Sequence, residues 1–245
     1  MLAVLFNEIL YRPILNALVF LYNIIPGHDF GIAIIVLTIL IRIILYPLSY
    51  KSIKSRQALS ILQPQIKEIQ KKYKNKEEQS RELMKLYKEH NVSPFSGCLP
   101  LLVQFPILIA LYQVLINVLK PESLSTLYSF IKNPGIINAL SLGVLDLSKK
   151  SPVLAILAGV SQFFYSKLTM KFSPPTPQIN AKKGALDVQK IMGKQMVYFM
   201  PILTIFIAWN FPAGLPLYWV VTTLFGLGQE YYLLKKIHGS SQKNN

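Results

Sequence analysis

FGIAIIVLTILIRIILYPLSY, residues Phe30–Tyr50, decides how the rest of the chain is read. About 20 predominantly apolar residues are what an α-helix needs to cross a hydrocarbon core of about 30 Å, and this run supplies them. It also carries a charge, Arg42. At 1.5 Å rise per residue the distance from Arg42 to Lys51 puts the arginine roughly 13 Å inside the boundary, deeper than its side chain comfortably snorkels. Burying such a charge costs about 2.5 to 3.5 kcal/mol on insertion scales. Two readings meet that cost: an interfacial anchor whose head reaches back to water, or a charge facing a wet cavity between helices, the default for an ionisable residue inside a bundle.

Composition points the same way. The chain is 52% hydrophobic with a mean hydropathy of +0.38, and its apolar residues come in long blocks, which marks a multispanning membrane protein. Of the net charge of +15, Lys51–Val92 holds +6, Lys167–Lys194 holds +5 and Lys235–Asn245 holds +3. Lysine and arginine near span ends mark the cytoplasmic side, so all three segments belong there. Cys98 is the only cysteine, so no intrachain disulfide can form and no Cys/His metal site is offered. The start lacks a basic n-region and a small-residue cleavage site, so no cleavable signal peptide is expected.

The pattern predicts an all-α chain of five spans. Residues 1–28 are apolar, but Glu8, Arg12, Asn16 and Asn23 form a polar stripe on a helical wheel. The stripe favours an external helix lying in the interface, bent at Pro13; a plain first span is the alternative. Pro26–Asp29 breaks the chain, and span one occupies 29–50. Residues 51–93 turn charged, with Leu59, Leu62, Ile66, Ile69 and Tyr73, then Leu83, Leu86 and Tyr87, at helical spacing on either side of Lys74–Lys76. Two amphipathic helices joined by a short turn read as a cytoplasmic hairpin. Intramolecular packing of its seam is the simpler explanation, and a partner-binding face is compatible with it.

Span two is 94–118, kinked by Pro100 and Pro106. Residues 119–151 form an external segment, expected to hold a short surface helix. Span three is 152–170, the Pro-rich loop 171–194 is cytoplasmic, and spans four (195–211) and five (212–234) make a tight outer hairpin before a basic tail, 235–245. Five spans with an external amino end place the three basic segments on one side, as required.

No GxSxG, HExxH, Walker loop or paired span acids occur, so the chain is expected to be no enzyme and to carry no catalytic residue, metal or cofactor. Glu230 is the only acid inside a span; a tethered interface acid is its plainer reading, and a pair with Arg42 is possible. Without an evident counter-ion Arg42 needs water and dipoles, and the candidates are Thr38, one turn away on the same face, with Gln104 and Gln162 on other helices. For each glutamine, interhelical hydrogen bonding as structural glue is an equal reading. Trp219 could serve as a belt aromatic.

Three blocks in order, IVLTILIRIILYPLSYKSIKSRQALSILQPQIKEIQKKYK, SPFSGCLPLLVQFPILIALYQVL and FPAGLPLYWVV, resemble the YidC/Oxa/Alb membrane protein insertase family, in the bacterial short form without a large periplasmic domain. An arginine in the first core span is a hallmark of that family. Ser93 stands where many members have asparagine, and Thr222 and Thr223 replace an Asn-rich stretch. The resemblance implies five helices around a hydrophilic groove open to cytoplasm and lipid. In it Arg42 would be flanked by Thr38, Gln162, Trp219 and Tyr218, the last two carried through the PAGLPLYW match. It further implies insertion of newly made proteins into the bacterial plasma membrane. The partners implied are nascent membrane proteins, the Sec translocon, the ribosome and signal recognition particle machinery, and membrane lipids. A small secondary transporter or channel for an anionic solute is the competing function, but such folds usually show internal repeats and this chain has none.

Overall fold

The computed structural model describes residues 2–93, 99–171 and 185–241; Cys98, the Ser173–Pro177 connector and the last residues of the basic tail lie outside them. In chain order the elements are α1 (Leu2–Phe6), a π-helical turn (Asn7–Tyr11), α2 (Arg12–Ile24), α3 (Phe30–Ile44), α4 (Tyr46–Ile61), α5 (Gln63–Lys72), α6 (Lys76–Glu89) and α7 (Leu99–Asn117). A 3-10 helix (Pro121–Thr126), the two-residue strands β1 (Leu140–Ser141) and β2 (Leu145–Asp146), α8 (Pro152–Lys171), α9 (Ala185–Asn210) and α10 (Gly214–Ser241) follow. The expected all-α architecture holds, apart from that small antiparallel pair. Two compact units divide the chain: Met1–Leu45 with Leu101–Gln162 and Pro201–Gly226, and Tyr46–Pro100 with Phe163–Met200 and Leu227–Asn245.

In the first unit, Leu15, Leu18 and Val19 of α2, Phe30, Ala33 and Ile34 of α3, Ala110, Leu111 and Val114 of α7, and Tyr218 of α10 share one apolar core. The π-helical turn sits just before Pro13, whose ring would clash with the carbonyl four residues back; widening the ladder there relieves the clash. The polar stripe on this helix has partners within 119–151. Arg12 bonds the Thr126 carbonyl, pairs with Glu8 at 3.2 Å and lies over the Tyr128 ring. Asn16, 1% exposed, accepts from the Tyr128 amide, and Asn23 donates to the Lys132 carbonyl.

The same segment closes over the start of α3. Asp29 caps that helix by accepting from the Ile32 amide, which N-terminal amides require, and it also accepts from the Ser141 hydroxyl and the Leu142 amide. A Cβ on Gly31 would come within 2.1 Å of Ser141 Oγ, so only glycine lets the hairpin approach so closely. The expected surface helix within 119–151 shrinks to the six-residue 3-10 turn. Gly135 and the Leu142–Gly143 turn, all at positive φ, bend the remainder into the β1/β2 hairpin. Downstream, the amides of Ala213 and Gly214 donate to the carbonyls of Lys149 and Leu147, which seats the tight connection between α9 and α10.

In the second unit the helical hairpin forms as the spacing predicts. Leu59, Leu62 and Ile66 pack on Leu83, Leu86 and Tyr87, with Ile69 and Val92 alongside. Asn75 caps α6 through the Glu77 amide. A separate, smaller cluster joins Ile53 of α4 to Leu233 and Leu234 of α10, with Leu168 of α8 packed against it.

Two helical stretches, Ala3–Ile24 and Pro152–Met170, are long and apolar enough to cross a membrane, or three if α3 and α4 count as one broken span. Leu102–Asn117 and Val197–Asn210 are shorter apolar helices. This is a multispanning helical membrane protein. The continuous helix expected across 29–50 is interrupted at Leu45, because Pro47 lacks an amide and its ring crowds the preceding turn.

Candidate functional site

The break at Leu45 changes the setting of Arg42. The arginine stands in the last turn of α3, where carbonyl groups lack amide partners and the helix macrodipole presents roughly half a negative charge. A cation is stabilised at that end. Part of what offsets its burial is therefore local to its own helix.

The guanidinium is half-buried, and Arg42 Nε donates to Thr222 Oγ1 at 3.2 Å. Thr222 is 8% exposed and lies one turn beyond Tyr218 on α10, which is 1% exposed, so both project from the same face. The Tyr218 phenol, one turn away on the same face, accepts a hydrogen bond from Gln104 Nε2 of α7. A polar relay is thus laid out across α3, α10 and α7, with the arginine on a threonine that neighbours a tyrosine bonded to a glutamine. No member is a carboxylate. The ion pairs among the described residues are Arg12–Glu8, Arg56–Glu230 and Lys149–Asp146, and Arg42 is in none of them.

Of the six residues singled out in the sequence, three meet in this relay: Arg42, Gln104 and Tyr218. Thr38 is 1% exposed and donates to the carbonyl of Ile34 in its own helix at 2.6 Å, so that bond is not to the relay. Gln162 is half-buried on α8 and Trp219 half-buried on α10. Trp219 is one residue from Tyr218, about 100° around the helix, so it points elsewhere. Its carbonyl accepts from the Thr223 hydroxyl. Thr222 is the member that sequence reasoning missed, and its spacing of four from Tyr218 was the available signal. Glu230 is 1% exposed and is paired with Arg56 at 3.1 Å rather than with Arg42.

The fold and site define a multispanning helical membrane protein in which, among the described residues, an arginine is held beside hydroxyls and an amide. The chain belongs to the YidC/Oxa/Alb membrane insertase family: the model of the 60Kd inner membrane protein family matches residues 20–241. It is similar to the membrane protein insertase YidC of Clostridium tetani (strain Massachusetts / E88), 40% identical over 220 residues, which cover 89% of this chain and 87% of that protein. The YidC of Syntrophus aciditrophicus (strain SB) is 36% identical over 230 residues, covering 93% of this chain and 36% of the relative. The chain therefore spans little more than a third of that longer relative and most of the clostridial one. Among solved structures, that of an active YidC insertase with its first transmembrane domain resolved is similar at a TM-score of 0.56 and 28% identity, covering 91% of this chain and 46% of that one.

Proposed function

We propose that this protein is a membrane protein insertase and chaperone that inserts newly made membrane proteins, and helps them fold, in a bacterial plasma membrane. It acts alone or with a Sec translocon, with the ribosome and signal recognition particle machinery delivering substrate. Five spans, 29–50, 94–118, 152–170, 195–211 and 212–234, surround a hydrophilic groove; residues 1–28 lie in the outer interface, the amino end is outside and the carboxyl end cytoplasmic. Membership of the family and the names of the relatives support the activity. The three basic segments support the orientation.

One observation carries the mechanism: Arg42 is held by a hydroxyl, so its positive charge is not cancelled. Moving an acidic extramembrane tail across hydrocarbon is opposed by desolvation of its charge. A fixed cation in a wet groove lowers that barrier, because attraction at a reduced dielectric exceeds that in bulk water. Thr222, Tyr218 and Gln104 hold the guanidinium in place, and Thr38, Gln162 and Trp219 line the path. The apolar helix of the substrate then partitions sideways into lipid, and burial of its apolar surface supplies the free energy without a nucleotide.

The test is insertion of substrates with acidic translocated tails into proteoliposomes. Arg42→Ala reduces insertion by about tenfold or more, equivalent to about 1.4 kcal/mol of lost attraction, whereas Arg42→Lys retains most of it. Equal insertion by the alanine variant across a panel of such substrates would remove the attractor role.

A further inference from the structure

The second unit contains a buried charge that the mechanism above does not use. Glu230 on α10 is 1% exposed. One carboxylate oxygen meets Arg56 of α4 at 3.1 Å, and the arginine side chain is itself only 12% exposed. The other oxygen accepts from Thr169 of α8 at 3.0 Å. A single carboxylate thus ties three helices together, and α4 among them continues into the hairpin.

Among the described residues, apolar packing at this joint is slight, consisting of Ile53, Leu233, Leu234 and the half-buried Leu168. The surrounding positions are polar: Ser52, Gln57 and Gln229 are all buried. Among the described residues, Arg56 Nε, Gln57 Oε1 and Gln229 Nε2 find no hydrogen-bond partner. A joint built for maximal strength would use apolar residues, because buried ion pairs give little net stability over a well-packed apolar substitute. What a buried, directional pair does supply is geometry, since a displacement of one turn leaves a charge unpaired away from water.

We propose that Arg56 and Glu230 are positioning residues that set where the stem of the hairpin seats on α8 and α10, and that insertion depends on this seating. The dependence on insertion rests on the function proposed above; the seating does not. The hairpin itself is independent of the pair, because its arms close on their own seam. Loss of the pair therefore loosens the stem and leaves the arms intact.

Backbone hydrogen exchange and insertion are measured together on the full chain in proteoliposomes for wild type, Arg56→Glu, Glu230→Arg, the swapped double variant and Glu230→Gln. Each single reversal raises exchange in 46–61 by about fivefold or more, while exchange in 76–89, the internal control for folding, stays within about twofold. Insertion falls by about threefold in the same variants, and the swapped pair restores both readouts, as a double-mutant cycle across a direct contact requires. Glu230→Gln keeps the shape of the side chain and provides a folded single variant should a reversed charge prevent folding. Unchanged exchange in 46–61 across the single variants overturns the seating. Restored exchange without restored insertion in the swapped pair overturns the dependence of insertion on it. Failure of the wild type to insert would count against the proposed function and leave the exchange result standing.

Discussion

Arg42 and Arg56 sit in different units and are treated in opposite ways. Arg42 is half-buried and rests against a hydroxyl at the end of its helix; Arg56 is nearly buried and is neutralised by a carboxylate that is more deeply buried still. Both arrangements offset desolvation, but only one leaves a net charge for a visitor. An arginine facing a neutral acceptor keeps its field, whereas one facing a buried acid loses it at short range and gains directionality instead. On the function and the seating proposed above, identical side chains serve presentation in one unit and location in the other.

The contrast is broken most severely by Arg56→Ala, which strands Glu230 without its partner and should destabilise the second unit by about 3–5 kcal/mol. The corresponding Arg42→Ala leaves no stranded acid and should change stability by less than about 1 kcal/mol. Thermal unfolding in detergent separates the two. Turning the first arginine into a copy of the second is the next largest effect. Thr222→Glu places a carboxylate against Arg42 and should lower insertion of acidic-tailed substrates about tenfold without loss of thermal stability, a change worth about 1.4 kcal/mol. Smallest is Tyr218→Phe, which removes the acceptor for Gln104 and one neighbour of Thr222; it should destabilise by about 0.5–1.5 kcal/mol and reduce insertion less than Arg42→Ala. If it matched Arg42→Ala, the relay and not the charge would be the active feature.

Much of this was legible in the residues. The hairpin seam follows helical spacing, and Leu59, Leu62, Ile66, Leu83, Leu86 and Tyr87 all fall where that spacing puts them. Arg42 and Gln104 announce themselves as polar groups in apolar runs, whereas Tyr218 was reached only through the PAGLPLYW resemblance. Four features were not read from it, three of them because they depend on contacts remote in sequence. The stripe of Glu8, Arg12, Asn16 and Asn23 shows its periodicity in the sequence but not its partners, since Arg12, Asn16 and Asn23 meet residues more than a hundred positions away. Glu230 showed no sign of Arg56, since nothing local links α10 to α4. The break at Leu45 was written in Pro47, but a hydropathy run weighs apolar character and passes over a missing amide. Thr222 looked like a departure from a family pattern, and a hydroxyl gains meaning only once the guanidinium is seen to reach it.

The closed seam of the hairpin bears on how this protein can diverge. Because the two arms satisfy each other, the lysines and glutamates on their outer surfaces carry no packing duty, and substitutions there meet little resistance from folding. Variation between lineages should accumulate on that outer skin first, while the inner row of leucines, isoleucine and tyrosine drifts slowly beneath it.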